Sequence, residues 1–352
     1  MLTPEALLKA TERLPRVDLA ELPTPLHECP NLARELGVPR FFLKRDDLTG
    51  LAFGGNKTRK FCFTFADALS QGADCVITGA ASQSNHARQA AAAAARLGMK
   101  CYLVSRWDHR AQLGFQGNWL LDCVLGAEVR FVRAEDQQQA KLQLVEELRA
   151  AGHHPYLIAD RANALGAVAY AQCTAELELQ LRARGVEADY VGVCSLEGTH
   201  AGLALGVKAL GLKTRVISWR PYDWEQQTTL EHVATLANQA ASWLDLPLRV
   251  TPEELDNRID ALGPGYGLPS PEGLEALHLM ARTEGVLLDP VYTAKGFAGL
   301  CAAIRSGEIP AESTVVFVHT GGAPAMFAYS HELAQAGGYT VKYVEDLSRG
   351  VI

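Results

Sequence analysis

The fold is indicated most clearly by the stretch Asp74-Cys75-Val76-Ile77-Thr78-Gly79-Ala80-Ala81-Ser82-Gln83-Ser84-Asn85-His86. Its first five residues form a short run rich in β-branched side chains, which is typical of a buried strand. The Ala-rich segment that follows, residues 87–97, is typical of a helix. Small and amide residues lie between the two, so the stretch predicts a strand that leads through a loop into a helix.

The same pattern recurs along the chain. Further strands are predicted at residues 40–44, 100–104, 127–132, 190–193, 214–218 and 314–318. Short strands that alternate with helical sequence predict βαβ units and parallel sheets. We therefore predict an α/β fold of two lobes, each with a twisted, mainly parallel sheet flanked by helices, and a cleft between the lobes.

The domain boundaries follow from the two clusters of strand-helix units. We predict that residues 1–57 and 166–352 form a large domain and that residues 58–165 form a small α/β domain. The acidic, proline-containing segment 245–260 is expected to be an excursion on the surface.

Composition excludes several classes of protein. A formal net charge of −7 over 352 residues argues against nonspecific binding to nucleic acid, which needs a cationic surface. No apolar run reaches the roughly 18 residues that a membrane span requires. Eight cysteines are scattered without a C-x-x-C pair, so no metal site is expected. Because the first residues also lack the features of a secretory signal, a cytoplasmic location is expected.

The first candidate site is Gly54-Gly55-Asn56-Lys57-Thr58-Arg59-Lys60. Two glycines allow a tight turn, and a lysine at the start of a helix lies where the helix dipole favours the neutral amine. Only the neutral amine attacks a carbonyl to form a Schiff base. The alternative is a basic turn exposed to solvent.

Two further loops are predicted to bind anions at helix N-termini. Ser84 and Asn85 begin a helix after a strand, and their backbone N–H groups suit a carboxylate, although Ser84 could serve only as an N-cap. The segment Cys194-Ser195-Leu196-Glu197-Gly198-Thr199-His200-Ala201-Gly202 suits a phosphate. It lacks the lysine of a Walker loop and the G-x-G-x-x-G spacing, so a nucleotide site is disfavoured.

Three more segments place tyrosine or hydroxyl groups in turns or at helix starts. They are Gly263-Pro264-Gly265-Tyr266-Gly267, Asp289-Pro290-Val291-Tyr292-Thr293 and His319-Thr320-Gly321-Gly322-Ala323-Pro324. A single tyrosine is usually a packed amphipathic side chain. Because ligands bind at the carboxyl ends of parallel strands, we expect these segments to meet the lysine and the two anion-binding loops in the cleft.

Together these segments resemble the tryptophan-synthase-β-like (fold type II) pyridoxal-phosphate enzymes, and within them the family of D-cysteine desulfhydrase and 1-aminocyclopropane-1-carboxylate (ACC) deaminase. The matching strings run in order over about 300 residues. They are Leu43-Lys44-Arg45-Asp46-Asp47, Gly54-Gly55-Asn56-Lys57, Gln83-Ser84-Asn85-His86, Gly198-Thr199-His200-Ala201-Gly202, Pro264-Gly265-Tyr266-Gly267, Leu288-Asp289-Pro290-Val291-Tyr292-Thr293 and His319-Thr320-Gly321-Gly322-Ala323-Pro324.

The resemblance implies pyridoxal 5′-phosphate in the cleft and a role for each loop. Lys57 would carry the cofactor as an aldimine and move protons. Ser84, Asn85 and His86 would bind the substrate carboxylate, with Ser84 close to the reacting carbon and Asn85 on the ring oxygen of the cofactor. The phosphate would lie against Lys60 and the Glu197-Gly198-Thr199 loop.

On the substrate side, the resemblance implies that Tyr266 and Tyr292 take part in catalysis and that Thr320 lies near the pyridine nitrogen. ACC deaminases carry a glutamate after the second tyrosine, whereas this chain has Thr293 at that cofactor-binding position. A hydroxyl stabilises a protonated pyridine less than a carboxylate does. The resemblance therefore favours a lyase like D-cysteine desulfhydrase over an ACC deaminase.

The expected reaction is α,β-elimination with deamination of a small amino acid to pyruvate and ammonia, by a homodimer. Alternatives are a sulfo-lyase acting on cysteate, an ACC deaminase and a pyridoxal-phosphate binding protein without catalysis. Arg161 stands in a segment that differs from the desulfhydrase pattern and is expected to bind an anionic substrate group. Arg220 could add positive charge to the pocket, and ordinary surface arginines are the alternative for both.

Overall fold

The structure is a computed structural model, and it describes residues 1–339. Its strands are β1 (Leu26–Glu28), β2 (Arg40–Lys44), β3 (Cys75–Thr78), β4 (Lys100–Arg106), β5 (Glu128–Val132), β6 (Pro155–Leu157), β7 (Tyr190–Cys194), β8 (Arg215–Trp219), β9 (Asp256–Arg258) and β10 (Thr314–Val318).

The helices alternate with the strands along the chain. They are α1 (Pro4–Thr11), α2 (Pro30–Leu36), α3 (Asn56–Ser70), α4 (Asn85–Arg96), α5 (His109–Gln112), α6 (Gly117–Val124), α7 (Gln137–Ala150), α8 (Asp160–Arg182), α9 (Gly198–Leu210), α10 (Gln226–Trp243), α11 (Pro271–Glu284), α12 (Thr293–Arg305) and α13 (Ser330–Ala336). Among residues 1–339, no helix combines the length and the apolar character needed to cross a bilayer.

Two sheets organise the fold. The six-stranded sheet has the order β1-β2-β10-β7-β8-β9, and the four-stranded sheet has the order β5-β4-β3-β6. β1 pairs antiparallel with β2, and the other strand pairs in the described residues are parallel. Helices pack against these sheets, as βαβ connections require. The predicted α/β fold with mainly parallel sheets is confirmed.

The predicted strands agree with the observed bounds to within two residues. The sequence does not predict three strands of three residues each, β1, β6 and β9, because so short a segment shows no clear alternation of apolar and polar side chains. The expectation that residues 245–260 form a surface excursion is wrong in part. The segment contains β9, an edge strand of the large sheet, and it buries Val250 and Asn257.

The four-stranded sheet is built from residues 75–157 and the six-stranded sheet from residues 26–44 and 190–318. Helix α8 begins before the predicted boundary at residue 166 and continues beyond it. The exact division into residues 1–57 with 166–352 and residues 58–165 stays a prediction.

Helices α8 and α9 pack very closely. Three glycines of α9, each four residues from the next, face α8. An added Cβ would lie 2.3 Å from the carbonyl oxygen of Asn163 at Gly198, 2.3 Å from that of Ala167 at Gly202, and 2.5 Å from Thr174 at Gly206. Since real Cβ atoms do not approach so closely, only glycine permits this packing. The packing fixes the N-terminus of α9 beside the start of α8.

A fully buried ionic network lies on one side of α3. The guanidinium of Arg59 donates to both carboxylate oxygens of Asp46, at 2.8 and 2.9 Å, and to those of Glu176, at 3.0 and 2.8 Å. Tyr170 donates to Asp46 at 2.6 Å, and Lys44 contacts Glu176 at 3.3 Å. These contacts satisfy charges that would otherwise be costly to bury.

Candidate active site

A cavity of about 510 Å³ opens where strands of both sheets end. Its walls include Lys57 at the start of α3, Ser84 after β3, Cys194 at the end of β7, Tyr292 before α12 and Thr320 after β10. Parallel strands present their carboxyl ends on the same side of a sheet, so loops far apart in sequence converge there. The structure thus brings together most of the residues that the sequence singled out.

Lys57 lies in the first turn of α3, after two glycines with positive φ angles. Gly54 has φ +60°, and a Cβ there would lie 2.1 Å from the carbonyl oxygen of Asp47. Lys57 is half-buried and has no hydrogen-bonding or ion-pairing partner within residues 1–339. Burial lowers the pKa of Lys57, and nearby Glu197 only partly opposes this effect. The neutral, nucleophilic amine is therefore favoured.

One corner of the cavity combines a cation with helix N–H groups. The amine of Lys60 donates to Asn163 at 2.7 Å, and burial, followed by repulsion from Lys57, lowers the pKa of Lys60 to about 7. The N–H groups of Gly198 and Thr199 open α9 and have no acceptor within the helix. The Thr199 hydroxyl accepts from Asn56 at 3.0 Å. The amine of Lys60 beside a helix N-terminus fits a phosphate, whose negative charge favours the protonated form of the amine.

Glu197, the N-cap residue of α9, also lines this corner. It accepts a hydrogen bond from Asn163 at 3.0 Å and lies 3.8 Å from His232. Burial alone would raise the pKa of Glu197, but His232 and the nearby side chains of Lys60 and Lys57 outweigh it and hold the pKa below its ordinary value. Glu197 is therefore an anion beside the two lysines.

The loop after β3 ends at the N-terminus of α4. Ser84 is the N-cap and accepts from the N–H of Ala87 at 3.2 Å, and it also lines the cavity. The side-chain oxygen of Asn85 accepts from Asn118 at 2.9 Å. His86 is 2.8 Å from the Thr78 hydroxyl, and burial keeps its pKa well below the ordinary value, so it is neutral. Ser84 therefore both caps helix α4 and lines the cavity.

Two tyrosines form a hydrogen-bonded pair. The hydroxyl oxygens of Tyr266 and Tyr292 are 2.6 Å apart, and Tyr222 stacks on the ring of Tyr266 with centroids 4.3 Å apart. Tyr292 and Tyr222 line this cavity, and Tyr266 lines a second cavity of about 200 Å³. Burial, reinforced by Tyr222, raises the pKa of Tyr266 and Tyr292 well above the ordinary value. Both phenols are neutral and can donate a proton.

The two predicted threonines differ in position. Thr320 lies on the cavity wall. Thr293 is fully buried beneath the wall, where its hydroxyl lies 2.7 Å from the carboxylate of Asp289, and that carboxylate accepts the N–H groups of Val291, Tyr292 and Thr293. The Thr293 hydroxyl therefore stabilises the turn that carries Tyr292, a role that the sequence does not suggest.

Arg161 does not line the cavity, contrary to the expectation from the sequence. Its guanidinium makes two hydrogen bonds to Asp67, at 3.0 and 2.9 Å, and lies over the ring of Trp243. The side chain is 55% exposed. Arg220 likewise does not line the cavity but contacts Gln226 and Asn257. Neither arginine lines the cavity and each has a protein partner elsewhere, so the structure does not support the expectation that Arg161 binds an anionic substrate group or that Arg220 adds positive charge to the pocket.

The sequence does not single out several residues of the cavity. Tyr222 and Trp224, which follow β8, line the cavity, and so do Asn163 and Lys141. The strand-end rule could have indicated Tyr222, three residues beyond the end of β8. Asn163 has no local signal, since its partner Lys60 is 103 residues away.

Comparisons with known proteins agree with this geometry. A family model described as "Pyridoxal-phosphate dependent enzyme" matches residues 17–321. A D-cysteine desulfhydrase of Klebsiella pneumoniae is 40% identical over 331 residues, which cover 93% of this chain and 99% of the relative. One of Serratia proteamaculans is 40% identical over 328 residues, which cover 90% and 96%.

Two solved structures are also similar to this chain. One titled as an ACC deaminase homologue has a TM-score of 0.85 and 33% identity, and the match covers 94% of this chain and 99% of that chain. The processed form of threonine deaminase isoform 2 from Solanum lycopersicum has a TM-score of 0.64 at 20% identity, with 96% and 94% of the two chains covered. At this identity the likeness shows the shared fold alone.

Proposed function

This chain belongs to the family of pyridoxal-phosphate dependent enzymes, and we propose that it is a lyase whose substrate is D-cysteine. The reaction is an α,β-elimination with deamination. One D-cysteine and one water give pyruvate, ammonia and hydrogen sulfide. Relatives that cover nearly the whole chain at 40% identity carry the name D-cysteine desulfhydrase, and they are the support for this substrate.

The observation that carries the proposal is the environment of Lys57. A half-buried lysine without a partner in residues 1–339, in a cavity that Ser84 and Tyr292 also line, suits an amine that bonds covalently to a carbonyl. A lysine kept only for stability or solubility would be paired or exposed, as Lys44 and Lys208 are.

The cavity's own groups fit the cofactor. Lys57 would hold its aldehyde carbon, and Lys60 with the N–H groups of Gly198 and Thr199 would hold its phosphate. Asn85 and Thr320 line the same cavity and would contact its ring. When bound, pyridoxal phosphate withdraws electrons from Cα of an attached amino acid and so makes the α-proton acidic.

The chain's residues bind the substrate and move its protons. The N–H groups at the start of α4 suit the substrate carboxylate, and Ser84 is the hydroxyl at that helix start. The Lys57 amine, whose pKa burial lowers, can take the proton from Cα. The neutral Tyr292 hydroxyl, hydrogen-bonded to Tyr266, can donate a proton to the departing sulfur.

The alternatives have weaker support. The case for a cysteate sulfo-lyase depends on Arg161, which is bonded to Asp67 instead. ACC ring opening needs strong stabilisation of the pyridine nitrogen, and the Thr293 hydroxyl is engaged by Asp289. A binding protein without catalysis would need Lys57 to hold the cofactor but would have no need for Ser84, Tyr266 and Tyr292 together with it.

The test is a substrate panel assayed for pyruvate: D- and L-cysteine, cysteate, D-serine, β-chloroalanine, and ACC assayed for ammonia. We expect D-cysteine to give the highest kcat/KM and to release sulfide and pyruvate in equal amounts. Lys57→Ala is the control for background chemistry. Turnover of ACC or cysteate in preference to both cysteines, or of none of the panel, contradicts the proposal.

We further propose a homodimer in the cytoplasm. Helix α6 supports the dimer, since it buries Asn118 and Asp122 and exposes Leu120 and Val124, the reverse of a helix on a monomer surface. All eight cysteines are free, which suits a reducing compartment. Light scattering of the purified chain tests the dimer, and a monomeric mass contradicts it.

A further inference from the structure

Lys295 is a buried lysine that the proposed chemistry does not use. It lies in the first turn of α12, three residues after Tyr292, and only 2% of it is exposed. Its amine donates to the carbonyl oxygens of Leu262 and Gly265, both at 2.7 Å. It forms no ion pair in the described residues, although Asp289 is near enough to influence its pKa.

The two carbonyls belong to the turn that carries Tyr266. Gly263, Gly265 and Gly267 have φ angles of +64°, +140° and +72°, so this turn depends on residues with little conformational preference of their own. Such a turn needs external contacts to hold one conformation. Tyr329 supplies one by donating to the carbonyl of Gly267 at 2.7 Å. Lys295 supplies two on the other side of Tyr266.

Lys295 therefore connects two elements that each carry a tyrosine. Its backbone belongs to the helix that follows Tyr292, and its amine holds the turn around Tyr266. The hydrogen bond between the two phenols, 2.6 Å long, requires both elements to keep their relative position. Burying an ammonium group against carbonyls alone is unfavourable compared with an apolar side chain of the same length. Packing alone does not explain a lysine here.

We propose that Lys295 is a positioning residue that sets the geometry of the Tyr266–Tyr292 pair. The inference rests on the proposed lyase function, because that function gives the pair its task. Without Lys295 the turn loses two of its anchors, and Tyr266 no longer holds the Tyr292 hydroxyl in place. The chemical step then slows, while binding of the substrate carboxylate at α4 is unaffected.

The test is a double-mutant cycle of Lys295→Met and Tyr266→Phe with D-cysteine as substrate. We expect Lys295→Met to lower kcat about 10- to 100-fold, as small misplacements of catalytic groups do, with KM changed by less than about twofold. In the Tyr266→Phe background the same substitution should lower kcat by less than about threefold, because its target is already lost.

Lys44→Met is the matched control. Lys44 is a buried lysine that also donates to a backbone carbonyl, that of Thr24 at 2.8 Å, but it lies in the ionic network away from the tyrosines. Its effect should multiply with that of Tyr266→Phe. If the effects of Lys295→Met and Tyr266→Phe multiply in the same way, Lys295 has only a structural role and the proposal is overturned.

A crystal structure of Lys295→Met separates this inference from the proposed function, because it needs no turnover. We expect the two phenol oxygens to move beyond hydrogen-bond distance. An unchanged distance of about 2.6 Å overturns the inference, whatever the substrate. If Lys295→Met does not fold, Lys295→Leu, which also removes the N–H donor, replaces it in both experiments.

Discussion

Helix α3 carries cations toward two very different surroundings. On one side, Arg59 is fully buried and makes five hydrogen bonds of 3.0 Å or less, to Asp46, Glu176 and Thr24. On the other side, Lys57 has no partner in residues 1–339, and Lys60 donates to the neutral side chain of Asn163. The three residues lie within one turn of the same helix.

The comparison separates a basic group that stabilises the fold, Arg59, from two basic groups that are available to bind a ligand, Lys57 and Lys60. Paired with carboxylates, Arg59 keeps its charge, and its pKa is raised well above the ordinary value despite its burial. Burial lowers the pKa of Lys57 and of Lys60, because no carboxylate contacts either amine closely enough to offset it. Removing Arg59 should therefore change stability, and removing either lysine should change chemistry or cofactor binding.

The largest effect is expected for Lys57→Ala. Turnover should fall by at least about 1,000-fold, because the covalent amine is lost, while the melting temperature of the apoprotein should change little. The measurements are pyruvate release and thermal unfolding of the apoprotein. A large drop in melting temperature alongside the loss of turnover would show that Lys57, like Arg59, stabilises the fold, and would contradict this prediction.

Borohydride reduction of the holoenzyme followed by peptide mapping provides an independent check on Lys57. The label should be on Lys57. Labelling of Lys44, Lys60 or Lys295 would remove the basis of the proposed function.

Arg59→Met should give the next largest effect, on stability. Removing one partner leaves Asp46 and Glu176 buried and uncompensated, which costs about 3–5 kcal/mol in the free energy of unfolding. Urea unfolding of the apoprotein measures it. The folded fraction should retain kcat within a small factor. Arg161→Met is the control, since the Arg161 side chain is 55% exposed and its ion pair should contribute little to stability.

Lys60→Met should weaken cofactor binding about 10- to 100-fold, the value of a hydrogen bond to a charged group, with kcat preserved at saturating cofactor. Burial lowers the pKa of Lys60 to about 7, so its amine loses its proton as the pH rises through 7. The affinity of the apoprotein for pyridoxine 5′-phosphate, which has no aldehyde, should decline from pH 7 to 9. Calorimetry should detect this decline in the natural chain and not in Lys60→Met.

Ser84→Ala should have the smallest effect, because Ser84 contributes in part to the stability of the fold and in part to the chemistry. Loss of the N-cap should cost about 1 kcal/mol of stability. If the hydroxyl also lies near Cα in the complex, kcat should fall by more than KM rises, about tenfold. Ser84→Asn is the control, since asparagine retains the cap. An unchanged kcat in Ser84→Ala reduces Ser84 to a helix cap.

The sequence predicts the parts of this molecule that local chemistry determines. The strand predicted at 314–318 has its observed bounds, and Lys57, Ser84, Glu197 and Thr320 are predicted at strand-end loops that do meet in one cavity. In each case the residue and its neighbours contain the signal: a β-rich run, a glycine turn or a helix N-terminus.

What the sequence does not predict depends on partners that are distant along the chain or chosen by the fold. Arg161 is separated by 94 residues from Asp67, which holds it away from the cavity. The pattern around Thr293 does not reveal that Asp289 takes its hydroxyl. Tyr222 acquires its place through the ring of Tyr266. A local pattern cannot reveal which of several possible partners the fold supplies.

The close packing at the glycines of α9 also limits which mutations these positions tolerate. Any single-base missense change in a glycine codon introduces a side chain with a Cβ atom. At Gly198, Gly202 and Gly206 that atom would lie 2.3 to 2.5 Å from α8. We therefore expect every single-base missense change at these three positions to disturb the packing of α9 on α8. In a library of random variants that is selected for function, we expect them to remain glycine while partly exposed positions of the same helix, such as Val207, vary.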